Sequence, residues 1–156
     1  MTVSLHLTSA AFVEGAPIPI RHTCDGEDAS PPLKWSGVPV NARTLALICD
    51  DPDAPLGTWV HWVLYNLPAH VAELAGGVPA SESLPDGARQ GLNDFKHIGY
   101  GGPCPPRGQP HRYFFKLYAL DIELNLKPRA TKPDVIQAMQ NHVLAEGQLM
   151  GTYRRK

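Results

Sequence analysis

The sequence predicts a mostly β domain of the sandwich type, and three observations carry that prediction. Turn signals recur at short intervals, at Glu14-Gly15, Asp25-Gly26, Ser36-Gly37, Gly76-Gly77, Asp86-Gly87 and Gly101-Gly102. Between them lie short runs rich in β-branched and aromatic residues, the types that fit a pleated, half-buried surface. The 16 prolines and 14 glycines disfavour a helical bundle, because proline removes a donor and breaks helices. A chain of 156 residues is one domain's worth, so residues 1–156 are expected to share one core. A chain of this size buries about two-thirds of its unfolded surface and needs no staples to do so.

The clearest strands are expected at Thr44–Cys49, Thr58–Asn66 and His111–Leu120, with shorter ones at Val3–Thr8 and Lys34–Trp35. One helix is expected, from Lys132 to Glu146. Thr131 suits its cap and Asp134 its first turn, and Pro133 is tolerated where early N–H groups lack partners. Val135, Ile136, Met139, Val143 and Leu144 repeat at helical spacing, and Gly147 reads as the stop. This helix is expected to cover a sheet.

Charge excludes several classes of partner. Fourteen Lys and Arg balance fifteen Asp and Glu, for a net charge of −1, so there is no basic field for nucleic acid. The one basic run, Arg154-Arg155-Lys156, reads as a solvated tail. No apolar stretch approaches 18 residues, so no transmembrane segment is expected. The opening MTVSLHLTSAAF lacks a basic start and a long apolar run, so no secretory signal is expected and the expected address is cytoplasmic. Cys24, Cys49 and Cys104 are too scattered for a disulfide scaffold or a CxxC metal site. Reduced thiols are the expectation, with a Cys24–Cys104 bridge as the alternative.

Three segments carry candidate chemistry. In LALICDDPDAP (45–55), strand alternation places Leu45, Leu47, Cys49 and Asp51 on one face, and Asp53 follows at the same spacing. Pro52 and Pro55 end the ladder there. In TWVHWVLYN (58–66), His61 shares a face with Trp59, Val63 and Tyr65 by the same count, and a buried imidazole there requires a hydrogen-bond partner. GYGGPCPPRGQPHRYFFKLYAL (99–120) begins as a Gly/Pro loop and becomes a strand whose first residues, His111 and Tyr113, point the same way. Two polar rings at a strand's mouth, beneath a stiff loop, read as the lip of a pocket. There is no G-x-S-x-G elbow, P-loop, HExxH or dinucleotide fingerprint. A Cys104–His111 pair, or a zinc or iron site built from Asp51, Asp53, His61 and His111, are the alternatives these residues leave; neither a metal nor another cofactor is expected.

Taken together these segments resemble the phosphatidylethanolamine-binding proteins, also called Raf kinase inhibitor proteins, and within them the bacterial and archaeal YbhB/YbcL branch. Four blocks carry the resemblance: TCDGEDASPPLKWSGVP (23–39); DPDAP (51–55) with VHW (60–62); GLNDFKHIGYGGPCPPRG (91–108) running into PHRYFFKLYALD (110–121); and the last helix leading to GTY (151–153). They span well over half the chain in the right order. The resemblance implies a β-sandwich with a large central antiparallel sheet, a smaller sheet and few helices. It also implies an anion pocket at one end of the sheet, formed by Asp51, Asp53, His61, His111 and Tyr113, with Pro106, Gly108 and neighbouring glycines at the rim. Animal and plant members regulate kinases or transcription complexes or bind phospholipid headgroups. The residues after Gly151 are expected to be too few for the C-terminal helix that partly closes the pocket in many members.

Two aspartates repel an anion, so the attraction has to come from His61, His111, the Tyr113 hydroxyl and loop N–H groups. The expectation is that Asp51 and Asp53 hold the imidazoles cationic and oriented, or that one of them meets a ligand ammonium, as in phosphoethanolamine. The expected function is a non-enzymatic binding protein for phosphate or a phosphorylated headgroup, regulatory in the manner of a kinase inhibitor. The alternatives are a hydrolase with His61 or His111 as general base, and a kinase or protease inhibitor acting through surface loops. A homodimer is compatible with exposed sheet edges.

Overall fold

The structure is a computed structural model and describes residues 3–156. Thr44–Asp51 (β4) is its centre. Every residue of this strand is buried, because alternate side chains serve two cores. Leu45, Leu47 and Cys49 face one cluster, while Ala46 and Ile48 face the other. A strand covered on both sides reads as a continuous apolar run, which is why LALIC was legible as a strand but not its two-sidedness. Antiparallel neighbours flank it, Trp59–Pro68 (β5) on one side and His111–Leu120 (β8) on the other.

Arg89–Gln90 (β7) extends the sheet beyond β5, and Val143–Tyr153 (β9) extends it beyond β8. Val3–Ser4 (β1) closes the far edge by pairing parallel with β9, so the six-stranded sheet is mixed rather than wholly antiparallel as expected. Its order is β1-β9-β8-β4-β5-β7. The expected strand Val3–Thr8 is divided at Leu5. The following His6–Thr8 (β2) belongs to a second, antiparallel sheet with Leu33–Ser36 (β3) and Glu73–Leu74 (β6), in the order β2-β3-β6. Leu7, Leu33 and Trp35 of this small sheet pack on Leu47, Trp62, Phe115 and Leu117 of the large one. On the opposite face, a helix and the 121–131 connection cover Ile48, Val63 and Tyr65.

That helix, Lys132–Met139 (α1), begins as expected. Asp134 accepts hydrogen bonds from the Thr131 backbone N–H and hydroxyl, at 2.9 and 3.0 Å. It ends seven residues earlier than the helical spacing suggests. Asn141 adopts a left-handed conformation (φ 70°), and residues 143–153 form β9 instead. The register explains the outcome: β9 pairs with β8 from His111↔Tyr153 to Leu120↔Val143, and an interstrand ladder of that length outweighs local helical preference. Gly147, read as a helix stop, lies inside this strand. A Cβ there would sit 2.3 Å from the Leu5 carbonyl oxygen, so glycine lets the Leu5 backbone cross the sheet. The strand's own signal was an alternation of period two, with Ala145, Leu149 and Tyr153 buried and Glu146 and Gln148 exposed.

Cys24 and Cys104 form a disulfide, which overturns the expectation of reduced thiols and removes Cys104 as a partner for His111. Cys49 is free and buried, and burial pushes its thiol well above its ordinary value. The bridge joins loops 80 residues apart in sequence, so it restricts the unfolded chain strongly. Replacing both Cys24 and Cys104 by serine should cost about 2–4 kcal/mol and lower the melting temperature by roughly 5–15 °C. Calorimetry of the oxidised protein and the double variant checks this, and equal melting temperatures would show that the bridge contributes nothing.

Candidate functional site

The candidate site lies where three strands of the large sheet end under a loop. Asp51 is the last residue of β4, His61 lies in β5, and His111 and Tyr113 open β8. With Trp59, Phe95, Ala54, Pro55 and the Cys104–Pro106 segment, they line an open cavity of about 160 Å³. Of the residues expected at the pocket, Asp51, His61, Pro106, His111 and Tyr113 therefore meet at one place.

Asp53 and Gly108 do not join them. Asp53 lies in the turn after β4, and both its carboxylate oxygens bind Arg112, at 2.8 Å to Nη2 and 2.9 Å to Nε. Those bonds hold its carboxyl below the usual range. The count of two that placed it beside Asp51 fails because the chain turns at Pro52, where strand alternation stops applying. Gly108 lies beyond the rim, where its carbonyl accepts Arg154 Nε at 2.7 Å. The basic run expected as a free tail is held here: Arg155 also pairs with Asp25 at 3.0 Å.

His61 does not share a face with Val63 and Tyr65, which lie in the helix-side core. Cys49 opposes Trp62 while Asp50 opposes Val60, so His61 is the extra residue of a β-bulge. The bulge turns the imidazole toward Tyr113 and Phe95, which meet it edge-on at 5.1 and 5.3 Å between ring centres. The backbone then fixes the ring. His61 Nδ1 donates to the Gly101 carbonyl at 2.6 Å, and the Gly101 N–H donates to the His61 carbonyl at 2.9 Å. Gly101 has to lack a side chain, since a Cβ would lie 2.5 Å from the Phe95 ring.

The expectation that carboxylates hold both imidazoles cationic fails for His61. Burial pushes its pKa below the ordinary value, and the Gly101 carbonyl and the Asp51 charge offset this only in part. His61 is therefore a neutral ring whose Nδ1 carries the proton and whose Nε2 offers a lone pair. Orientation by Asp51 does occur, at His111: Nδ1 donates to Asp51 Oδ2 at 2.7 Å. The other oxygen of Asp51 accepts the Asp53 N–H, also at 2.7 Å. Both carboxylate oxygens are thus engaged within the protein, which mutes the repulsion toward an anion. Burial raises Tyr113 far above its ordinary value, so its hydroxyl stays protonated. Among the described residues, neither His61 Nε2, His111 Nε2 nor the Tyr113 hydroxyl has a hydrogen-bond partner in the chain, and none is sealed from solvent.

Phe95 is the cavity-wall residue that strand reasoning missed. It sits in an irregular loop organised by buried Asn93, whose Oδ1 accepts the N–H groups of Phe95 and His97 and whose Nδ2 donates to the Gly99 carbonyl. Its one sequence signal was its position inside the GLNDFKHIGYGG block. No group of three His, Cys, Asp or Glu side chains is arranged to hold a metal ion among the described residues.

A β domain with two packed sheets, a helix on the outer face and an open cavity at one sheet end is a cavity-bearing sandwich. The chain belongs to the phosphatidylethanolamine-binding protein family, whose profile matches residues 8–154. A UPF0098 protein of the archaeon Methanothermobacter thermautotrophicus is 56% identical over 97% of this chain and 99% of its own length. A UPF0098 protein of Aquifex aeolicus is 46% identical over 97% of this chain and 89% of its own. Among solved structures, a putative phosphatidylethanolamine-binding protein homologue of Chlamydia trachomatis superposes with a TM-score of 0.89 at 43% identity, covering 99% of this chain and all of that one. Escherichia coli YbcL, described as a member of the mammalian family, gives the same score at 34% identity over 99% of this chain and all of its own.

The neutral state of His61 has a measurable consequence. The unfolded chain protonates this histidine near pH 6.5 and the folded chain only at lower pH, so between the two values the unfolded state binds more protons. Its contribution to stability is therefore complete above pH 6.5 and falls as the pH drops toward the folded value. Melting curves from pH 7.5 to 5 should show a slope that His61→Gln reduces. An identical slope in the variant would contradict a neutral, buried His61.

Proposed function

We propose that the small cavity binds a small anion, phosphate or the phosphate end of a headgroup such as phosphoethanolamine, and releases it unchanged. The observation that carries this reading is the convergence of three unengaged polar atoms, His61 Nε2, His111 Nε2 and the Tyr113 hydroxyl, on a space of about 160 Å³. Such a volume suits a tetrahedral anion. The Tyr113 O–H can donate directly. His61 offers a lone pair at neutral pH, so it either accepts a P–OH proton or takes up a proton as the anion enters. His111, anchored by Asp51, is held with Nε2 free and the ring fixed, the arrangement that orients an imidazole toward a ligand.

Binding without turnover is supported by the cavity's inventory. The Cys104 sulfur is consumed in the disulfide, and the lining hydroxyl is the Tyr113 phenol, whose ionisation burial opposes. The Asp51–His111 pair favours the rival reading, since a carboxylate-oriented imidazole is the usual frame of a general base. Phosphoester substrates decide between the two: sustained turnover lost in His111→Ala would establish the hydrolase.

An NMR titration of the imidazole signals with inorganic phosphate, phosphoethanolamine and ethanolamine tests the binding reading. Phosphate should shift the His61 and His111 signals, and His111→Ala should weaken binding by roughly ten- to a hundredfold, as expected for loss of a hydrogen bond to a charged group. Ethanolamine alone should leave them unmoved. Sulfate, whose charge is constant over the range, should bind more tightly as pH falls from 7.5 to 6, because His61 must gain a proton to donate. Imidazole signals unchanged at millimolar phosphate would overturn the proposal.

A further inference from the structure

We infer that the chain carries a second ligand site, separate from the anion cavity, in which His22 receives the N–H of a small uncharged carboxamide. The site is a depression of about 520 Å³, within the range of ordinary small-molecule pockets. Its walls come from the short 3-10 turn Ile20–His22 and the proline before it, from the segment Ala29–Pro32, and from two neighbouring stretches, Ala10–Ala11 and Gly76–Gly77. It shares no lining residue with the anion cavity, so the inference stands apart from the reading given above.

His22 supplies the unmatched group. The residue is only 4% exposed, and its backbone is fully engaged: the N–H donates to the Pro19 carbonyl at 3.0 Å, and the carbonyl accepts the Tyr100 hydroxyl at 2.6 Å. Ring Nδ1 lies 2.8 Å from the Ala29 carbonyl oxygen. That oxygen can only accept, so Nδ1 carries the proton and Nε2 of the neutral ring presents a lone pair. Among the described residues no donor meets Nε2, and it is not sealed from solvent. An acceptor in a buried wall is costly to leave unpaired, so an entering molecule has to bring a donor to it.

Ser30 supplies the complementary group. It is buried in the same pocket, where its hydroxyl oxygen accepts the Val78 N–H at 2.9 Å and its carbonyl accepts the Gly77 N–H at 2.8 Å. The hydroxyl proton has no acceptor among the described residues. One lone pair and one O–H proton match the two halves of a carboxamide, whose N–H donates and whose carbonyl accepts.

Charge argues for an uncharged ligand. Arg21 is the one permanently charged residue in the wall, and its guanidinium already meets Glu27 at 3.3 Å, with both side chains about two-thirds exposed. A carboxylate in place of the carboxamide would set an acceptor against the His22 lone pair and leave both unpaired. The alanine and proline walls offer no further hydrogen-bonding side chains, so the body that fits beside the amide is apolar.

NMR titration of the imidazole nitrogens with benzamide and with benzoate, its carboxylate counterpart, tests the inference. Benzamide should shift the His22 Nε2 signal with a dissociation constant of roughly 1–10 mM, as expected for a ligand of this size, and leave His61 and His111 unmoved. Benzoate should bind at least about tenfold more weakly, the loss expected when a buried acceptor stays unpaired. His22→Phe should abolish the preference for the amide. Because that variant also loses the bond to Ala29, Ala10→Trp provides a second test: Ala10 is exposed, so its indole should fill the pocket while His22 and the core stay intact, and the benzamide response should disappear. A His22 signal unmoved by benzamide, equal binding of benzoate, or a response retained in Ala10→Trp would overturn the inference and leave the anion cavity standing.

Discussion

The site depends on one reciprocal contact, between His61 and Gly101. The imidazole Nδ1 and the backbone carbonyl of His61 bind the carbonyl and the N–H of the same glycine. This pair fastens the Gly/Pro loop to the central sheet, chooses the imidazole tautomer and leaves Nε2 facing the cavity. It also exacts burial of the ring, which is why His61 is neutral. A polar group taken out of water has to be paired, and here the partner is backbone rather than a carboxylate. The loop's position and the histidine's charge state are thus two results of a single arrangement.

The two imidazoles differ because their partners differ. His61 leans on a carbonyl beneath aromatic rings, and His111 leans on Asp51 at a strand mouth. Asp50, one residue before Asp51, points to the other side of the sheet, where Lys132 and Lys116 neutralise it at 2.6 and 3.3 Å. Adjacent aspartates on a strand thereby serve opposite faces: one balances surface lysines, the other orients a ring. Asp53, two residues on, serves neither role and anchors Arg112 outside the cavity.

Loop attachment follows the same economy of partners. The segment 99–104 is tied to the 20–28 region by the disulfide, by the Tyr100 hydroxyl on His22 and by Gly102 on Asp28. The two hydrogen bonds each satisfy a polar group of the loop, and the disulfide adds a covalent tie.

Several elements were legible from residues alone. LALIC, HRYFFKLYAL and the VHW segment are β-branched and aromatic runs bounded by turn signals, and each is a strand because propensity, pattern and burial agree. His111 and Tyr113 share a face because no irregularity interrupts the first residues of β8, so alternation holds. The family blocks placed Asp51, His61 and Pro106 at the same cavity, though local reasoning could not have joined segments this far apart. What only the tertiary structure decided involves partners distant in sequence. Residues 143–146 carry helical spacing, yet lie in a strand because β8 offers them a ladder. His61 leaves its expected face because a bulge against β4 inserts it. Cys24 and Cys104 bridge because the fold brings their Cα atoms within 5.4 Å. Local pattern records what a segment prefers by itself, whereas register, bulges and cross-links depend on what the rest of the chain sets beside it.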